Sequence, residues 1–357
     1  MTTVNDPLHH GPYLGPIRAS VIVPAYNAER TIRRAIASAL TQTEQRCEVL
    51  VIDDASGDDT AAIVASVAER DRRVCLLRNT TNLGPAASRN RGLAAAHGDW
   101  VVLLDADDEI LPHRIETLIS LGQRHGADLV ADNLLLCPED GTGSVKPMIP
   151  PRALPAGKFL SAAAFVAGNV GSRWTPRVSY GFLQPIIRRD FLQKHDLRYD
   201  ERNRFAEDFL LYTACLLKGA RWWITPQAMY RYWVRAGSST DVQSAADLQR
   251  IRSMEQKLLR DEPLVAADPK LARALRRHMA VIDRFYHYRA FTDAVKARTG
   301  AKAFQLLFES ASGFGQILLE SALRAPTIAI KALRGGYRGG RSAASRVPAG
   351  TGGAKGS

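Results

Sequence analysis

The chain has 357 residues, 46% of them hydrophobic and 24% charged, with a formal net charge of +12. That length predicts one large α/β domain with a helical appendage, and the composition excludes both a disordered chain and one embedded in a membrane. No apolar run is long enough to cross a bilayer, the eight histidines show no zinc-ligand spacing such as H-E-x-x-H, and the four cysteines, lacking C-x-x-C spacing, read as reduced core thiols of a cytosolic protein.

Residues 1–17, rich in Pro and Gly, read as a loose leader without the basic and then apolar pattern of an export signal. Strand and helix then alternate. Ser20–Tyr26 is a predicted strand, Arg30–Leu40 a helix, Cys47–Asp54 a strand, Asp58–Ala68 a helix, Arg73–Asn79 a strand, Pro85–Ala96 a helix and Trp100–Asp105 a strand. Such alternation predicts right-handed crossovers and a doubly wound, mainly parallel sheet with helices on both faces. A helix from Pro112 to Gly122 and a strand from Ala127 to Leu136 follow, and the Pro/Gly-rich stretch 138–157 interrupts the pattern. Beyond it come a short helix near Phe159–Val166, a strand at Leu183–Ile187, a helix at Phe209–Leu217 and two short aromatic strands, Arg221–Ile224 and Met229–Val234. From Ala245 to about Leu323 the spacing is helical, and from about residue 334 the chain reads as a disordered basic tail.

The positive charge is concentrated at the end, where seven bases and no acid follow Glu320. It therefore belongs to a tail rather than to a nucleic-acid-binding fold. Residues 304–333 mix apolar and basic side chains as a helix lying on an anionic membrane surface would.

In an open parallel sheet, ligands bind beyond the carboxyl ends of the strands where strand order reverses. Three polar clusters fall on that edge: Pro24-Ala25-Tyr26-Asn27 after the first strand, Asp53-Asp54-Ala55-Ser56 after the second, and Asp105-Ala106-Asp107-Asp108 after the fourth. On an extended backbone the carboxylates of Asp105 and Asp107 point to one side and suit Mn2+ or Mg2+ with open positions for phosphates. Ordinary turn and helix-cap chemistry places acids at strand ends too, so no single cluster is decisive. The missing G-x-G-x-x-G and G-x-x-x-x-G-K-[ST] argue against dinucleotide-binding and P-loop enzymes.

The segments SVIVPAYNAERTIRRAIASALTQ, EVLVIDDASGDDT, NLGPAASRNRGLAAAHGDWVVLLDADDEILP and FAEDFLLY resemble family 2 glycosyltransferases of the GT-A fold, over roughly residues 18–240. The resemblance implies a nucleotide-sugar part at about 18–136, an acceptor part at about 137–240, and direct displacement with inversion. It implies that Asp54, with Asp53 beside it, meets the nucleotide base, commonly uracil, with Tyr26 flanking. Pro24, Asn27, Asn82, Gly84, Arg89, Asn90 and Ala106 fall in the segments it places around the donor. Asp105 matches the first acid of its D-x-D, and Asp107 or Asp108 is the direct ligand of Mn2+ or Mg2+, a choice the sequence leaves open. Asp208 matches its catalytic base, and Glu207 then orients loops or contacts the acceptor.

QAMYRYWVRAGSSTD departs from the Q-x-x-R-W motif of processive synthases, which implies addition of a single sugar. The expected partners are a nucleotide-sugar donor, a glycan or lipid-linked acceptor and, through the tail, the inner face of a membrane, without nucleic acid. Two readings compete. Nucleotidyl transfer wants a Gly-rich, Arg-containing phosphate loop that PAYN does not provide, and a membrane- or RNA-binding protein on a degenerate scaffold rests on the tail alone.

Overall fold

The structure is a computed structural model describing residues 16–139, 143–170, 178–203, 205–234 and 244–297. The leader before residue 16 and the basic helix and tail after residue 297 lie outside the described residues. The chain divides into two compact units, Met1–Ile282 and Asp283–Ser357, and every site residue below lies in the first.

The expected alternation is present as β1 (Ala19–Ala25), α1 (Ile32–Leu40), β2 (Cys47–Asp53), α2 (Thr60–Ala68), β3 (Val74–Arg78), α3 (Pro85–Ala95) and β4 (Trp100–Leu103). Then come β5 (Glu109–Ile110), α4 (Arg114–His125), β6 (Leu129–Pro138), β7 (Lys146–Pro147), β8 (Lys158–Leu160), α5 (Ala162–Val170), β9 (Ile186–Arg188), α6 (Arg189–Lys194), α7 (Glu207–Leu217) and β10 (Trp222–Val234). Three helices follow: α8 (Ala245–Asp261), α9 (Pro263–Ala267) and α10 (Pro269–Lys296). Among the described residues no helix is long and apolar enough to cross a membrane.

Three local expectations are corrected. The two short aromatic strands are one strand, β10, whose register shifts between Ile224 and Tyr230 accommodate Pro226, a residue tolerated in a strand at such irregularities. Phe159 sits in β8 and not in a helix, which begins only at Ala162 with the Ser161 hydroxyl accepting from the Ala164 N–H. And β4 stops at Leu103, so Asp105 and Asp107 lie on a turn closed by the Asp108 N–H to the Asp105 carbonyl rather than on an extended strand.

The strands form one sheet in the order β3-β2-β1-β4-β9-β6-β10-β5, with β7 on β6 and β8 on β10. β1 pairs in parallel with β2 on one side and β4 on the other, so strand order reverses there and a crevice opens beyond their carboxyl ends. β1, β2 and β4 are buried almost throughout and read as continuous Val/Ile/Leu runs, as strands covered on both faces must. β9 is antiparallel between β4 and β6, with Ile186 opposite Val102, which carries the preceding Gln184 to the carboxyl end of β4.

Two devices bring helices and loops to that edge. In α3, a Cβ on Gly92 would stand 2.5 Å from Ile22 Cγ2 and 3.0 Å from Ile52 Cδ1, so only glycine lets the helix lie this close to β1 and β2. Arg89, one turn earlier, is thereby carried into the protein.

On the other side of the crevice, Arg114 of α4 and Asp132 of β6, both fully buried, form a two-pronged pair at 2.8 and 3.2 Å. Asp132 also accepts from the Met229 N–H at 3.0 Å, and Arg114 donates to the Gln184 carbonyl. Removing one member leaves an uncompensated charge in the core. Asp132→Ala is expected to lower the unfolding free energy by about 3–5 kcal/mol, read from the midpoint of chemical denaturation.

Candidate functional site

The loops after β1, β2 and β3 are stitched to each other. Asn27, held at φ 49°, accepts from the Gly57 N–H at 2.9 Å and donates its own N–H to the Ser56 hydroxyl at 3.0 Å. Asp54 is buried, and its carboxylate accepts from the Asn79 amide at 2.7 Å, the Leu83 N–H at 2.9 Å and the Gly84 N–H at 2.8 Å. It is the anchor of the loop that opens α3. Asp53 is fully buried and paired at 3.2 Å with Arg78, whose side chain is largely exposed. Around this rim Tyr26, Asn82 and Leu83 are exposed, Pro24 is half-buried and Ala106 is buried.

The acidic turn after β4 sorts its three carboxylates. Asp108 is buried, with one oxygen accepting from the Tyr230 hydroxyl at 2.9 Å and the other from the Trp233 N–H at 3.0 Å. The Tyr230 oxygen in turn accepts the Asp105 N–H at 3.1 Å. Burial, with Asp105 and Asp107 close by, holds the Asp108 carboxyl well above its ordinary range. Both Asp108 oxygens are thus engaged by Tyr230 and Trp233, in the wall of the crevice. Asp105 and Asp107 stay half-buried. They are hard oxygen donors at an open edge, which fits Mg2+ or Mn2+ shared with phosphates of a ligand. Among the described residues no three His, Cys, Asp or Glu side chains close a protein-only cage.

Arg89 joins this turn to the start of α7. The buried guanidinium donates from Nη2 to Asp105 Oδ1 at 3.0 Å and from Nη1 to Glu207 Oε1 at 2.7 Å, and Asp208 Oδ1 lies 3.7 Å from Nη1. It is a buried side chain and not a solvated helix residue. Asn90 beside it clips the segment before α7 in place, exchanging hydrogen bonds with the Tyr199 backbone at 2.9 Å in both directions. Tyr199 donates its hydroxyl to Asp208 at 3.0 Å, and Gln184 donates its amide to Asp105 at 3.4 Å. Neither Tyr199 nor Gln184 stands in a motif, so only the strand register and the Asn90 clip reveal them.

The electrostatics follow from three acids around one cation. Burial pushes the Asp208 carboxyl up to about 7, against the pull of Arg89 and with added push from Glu207 and Asp105. Burial likewise lifts the Cys47 and Cys215 thiols to about 12, so neither is a nucleophile at neutral pH. The arrangement offers the half-buried carboxylate of Asp105, with Asp107 on the same turn, at one end of a guanidinium and a carboxylate that exchanges its proton near neutrality at the other.

The family model described as "Glycosyl transferase family 2" matches residues 20–178. Succinoglycan biosynthesis protein ExoU of Rhizobium meliloti (strain 1021) is 35% identical over 289 residues, which covers 81% of this chain and 82% of that protein. Succinoglycan biosynthesis protein ExoO of the same organism is 37% identical over 239 residues, 67% of each. The crystal structure of S. aureus TarS 1-349 in complex with UDP-GlcNAc aligns with a TM-score of 0.60 at 23% identity, covering 83% of this chain and 81% of that one, and shares the fold.

One stability signature follows from Asp208. Between the ordinary carboxyl value of 3.8 and about 7 the folded chain keeps a proton that the unfolded chain releases, so this group's contribution falls as pH rises through that window and is level above it. The loss is on the order of 1 kcal/mol per pH unit at its steepest. Asp208→Asn is expected to flatten that slope in denaturant titrations run from pH 5 to 8.

Proposed function

The chain belongs to glycosyl transferase family 2 and is a glycosyltransferase, and on that footing we propose that it moves a single sugar, with inversion, from a UDP-linked donor to a hydroxyl of a glycan or lipid-linked oligosaccharide in surface or exopolysaccharide assembly. The observation that carries this reading is the Arg89 bridge, which sets Asp105 of the acidic turn and the half-buried, proton-exchanging Asp208 on either side of one guanidinium. The names of ExoU and ExoO support the polysaccharide role, and the UDP-GlcNAc bound by TarS supports the donor class.

The donor lies across the carboxyl ends of β1, β2 and β4. The base N–H meets the Asp54 and Asp53 pair at the end of β2. Tyr26 and Leu83 flank the base with apolar surface. Asp105 and Asp107 would hold Mn2+ or Mg2+, which would supply positive charge to offset that of the departing diphosphate. Asp208 accepts the proton of the acceptor hydroxyl as its oxygen attacks the anomeric carbon. Tyr199 and Arg89 keep the Asp208 carboxylate in place, and Glu207 secures Arg89. Gln184 and the Arg114–Asp132 pair fix the far side of Asp105. The segment that departs from Q-x-x-R-W holds the acidic turn: Trp233 bonds Asp108 and Glu109, and Arg34 lies over its indole at 4.4 Å while donating to the Asp107 carbonyl at 2.7 Å. The basic tail brings the enzyme to an anionic membrane face.

With a panel of nucleotide sugars, nucleotide release is expected to require Mn2+ or Mg2+ and to fall about 10²-fold or more in Asp107→Ala and Asp208→Asn while both remain folded; turnover equal to wild type in either overturns its assignment. Because the base must be ionised, kcat/KM is expected to rise with pH through about 7 and then level off. A profile flat from pH 5 to 8 contradicts Asp208 as the base.

A further inference from the structure

Behind the first turn of α7 lies a polar pair that the transfer chemistry does not use. Glu255 of α8 is fully buried, and its Oε1 meets Nδ1 of His278, a buried residue on α10. His278 lays its ring on Phe209 with centroids 4.5 Å apart and planes 14° from parallel. Phe209 also stacks on Phe165 of α5, at 5.5 Å and 18°. It is the residue directly after Asp208.

A carboxylate and an imidazole in a core are costly, and apolar side chains of similar volume fill such space as well or better. What this pair supplies beyond filling is direction. The hydrogen bond that the imidazole makes to Glu255 fixes the plane of its ring, and that plane and Phe165 fix the ring of Phe209. A helix whose first-turn aromatic cannot rotate holds the roll of that turn, and so the heading of the Asp208 carboxylate. The early part of α10 is firmly seated, since Leu271, Ala272 and Leu275 join the same core as the sheet.

We infer that Glu255 and His278 are positioning residues for Asp208, acting through Phe209, so that α8 and the start of α10 are part of the catalytic unit. This rests on Asp208 being the base. A base turned away from the acceptor hydroxyl slows the chemical step without weakening donor binding, because the donor contacts lie on the strand ends.

The test uses the full chain and compares kcat and donor KM for His278→Ala, Glu255→Leu and Glu255→Gln, with Asp208→Asn as reference. His278→Ala and Glu255→Leu are each expected to lower kcat about tenfold or more with donor KM little changed. Glu255→Gln keeps an acceptor for the imidazole N–H and is expected to recover most of the loss seen in Glu255→Leu. If His278→Ala does not fold, the two Glu255 variants carry the comparison. A folded His278→Ala or Glu255→Leu with wild-type kcat overturns the inference, as do equal losses in Glu255→Leu and Glu255→Gln. Should Asp208→Asn be inactive while Glu255→Leu is normal, only the positioning role falls; should Asp208→Asn turn over normally, the base assignment falls and takes this inference with it.

Discussion

A single buried guanidinium holds the site together. Asp105 belongs to the turn after β4 and Glu207 and Asp208 to the start of α7, elements about a hundred residues apart in the chain, and all three acids point at Arg89. Without a cation between them they would repel one another in a medium that screens poorly. Burial raises the proton affinity of Asp208, Glu207 and Asp105 add to it, and Arg89 opposes it. The guanidinium that assembles the cluster thus also tempers the proton affinity of Asp208.

Everything nearby serves the placement of that guanidinium or of the acids it gathers. Gly92 lets α3 sink toward the sheet, and Asp54 fixes the loop from which α3 starts. Tyr230 spans the acidic turn, accepting from the Asp105 N–H and donating to Asp108, and the Arg114–Asp132 pair reaches the Gln184 carbonyl. Buried polar groups here are linked into chains whose members restrain each other, the condition under which such groups specify a geometry and do not merely weaken a core.

The first half of the fold was legible in the chain because its strands are buried on both faces and its helices start with clear signals, such as Gly84-Pro85 before α3. Less was legible where a residue behaves against type. Pro226 reads as a strand break and is absorbed by shifts in register within β10. β5 and β9 are too short to carry a period, yet β9 decides where Gln184 lies. At the site, residue types and their order announced an acidic cluster, while the division of labour inside it did not follow from spacing. Asp107 and Asp108 are neighbours with opposite environments, and only the position of Tyr230 and Trp233 separates them. The resemblance put Arg89 around the donor, but its burial depends on a glycine three residues away, which no motif announces.

The antiparallel β9 has a mechanical consequence. It is hydrogen-bonded on one side to β4 and on the other to β6, so backbone ladders run without a break from β3 to β5. A hinge between the half bearing β1 to β4 and the half bearing β6 and β10 would have to tear those ladders apart. Within the sheet those ladders oppose rigid-body movement of one half against the other. Motion that leaves the ladders intact is confined to the loops at the strand ends.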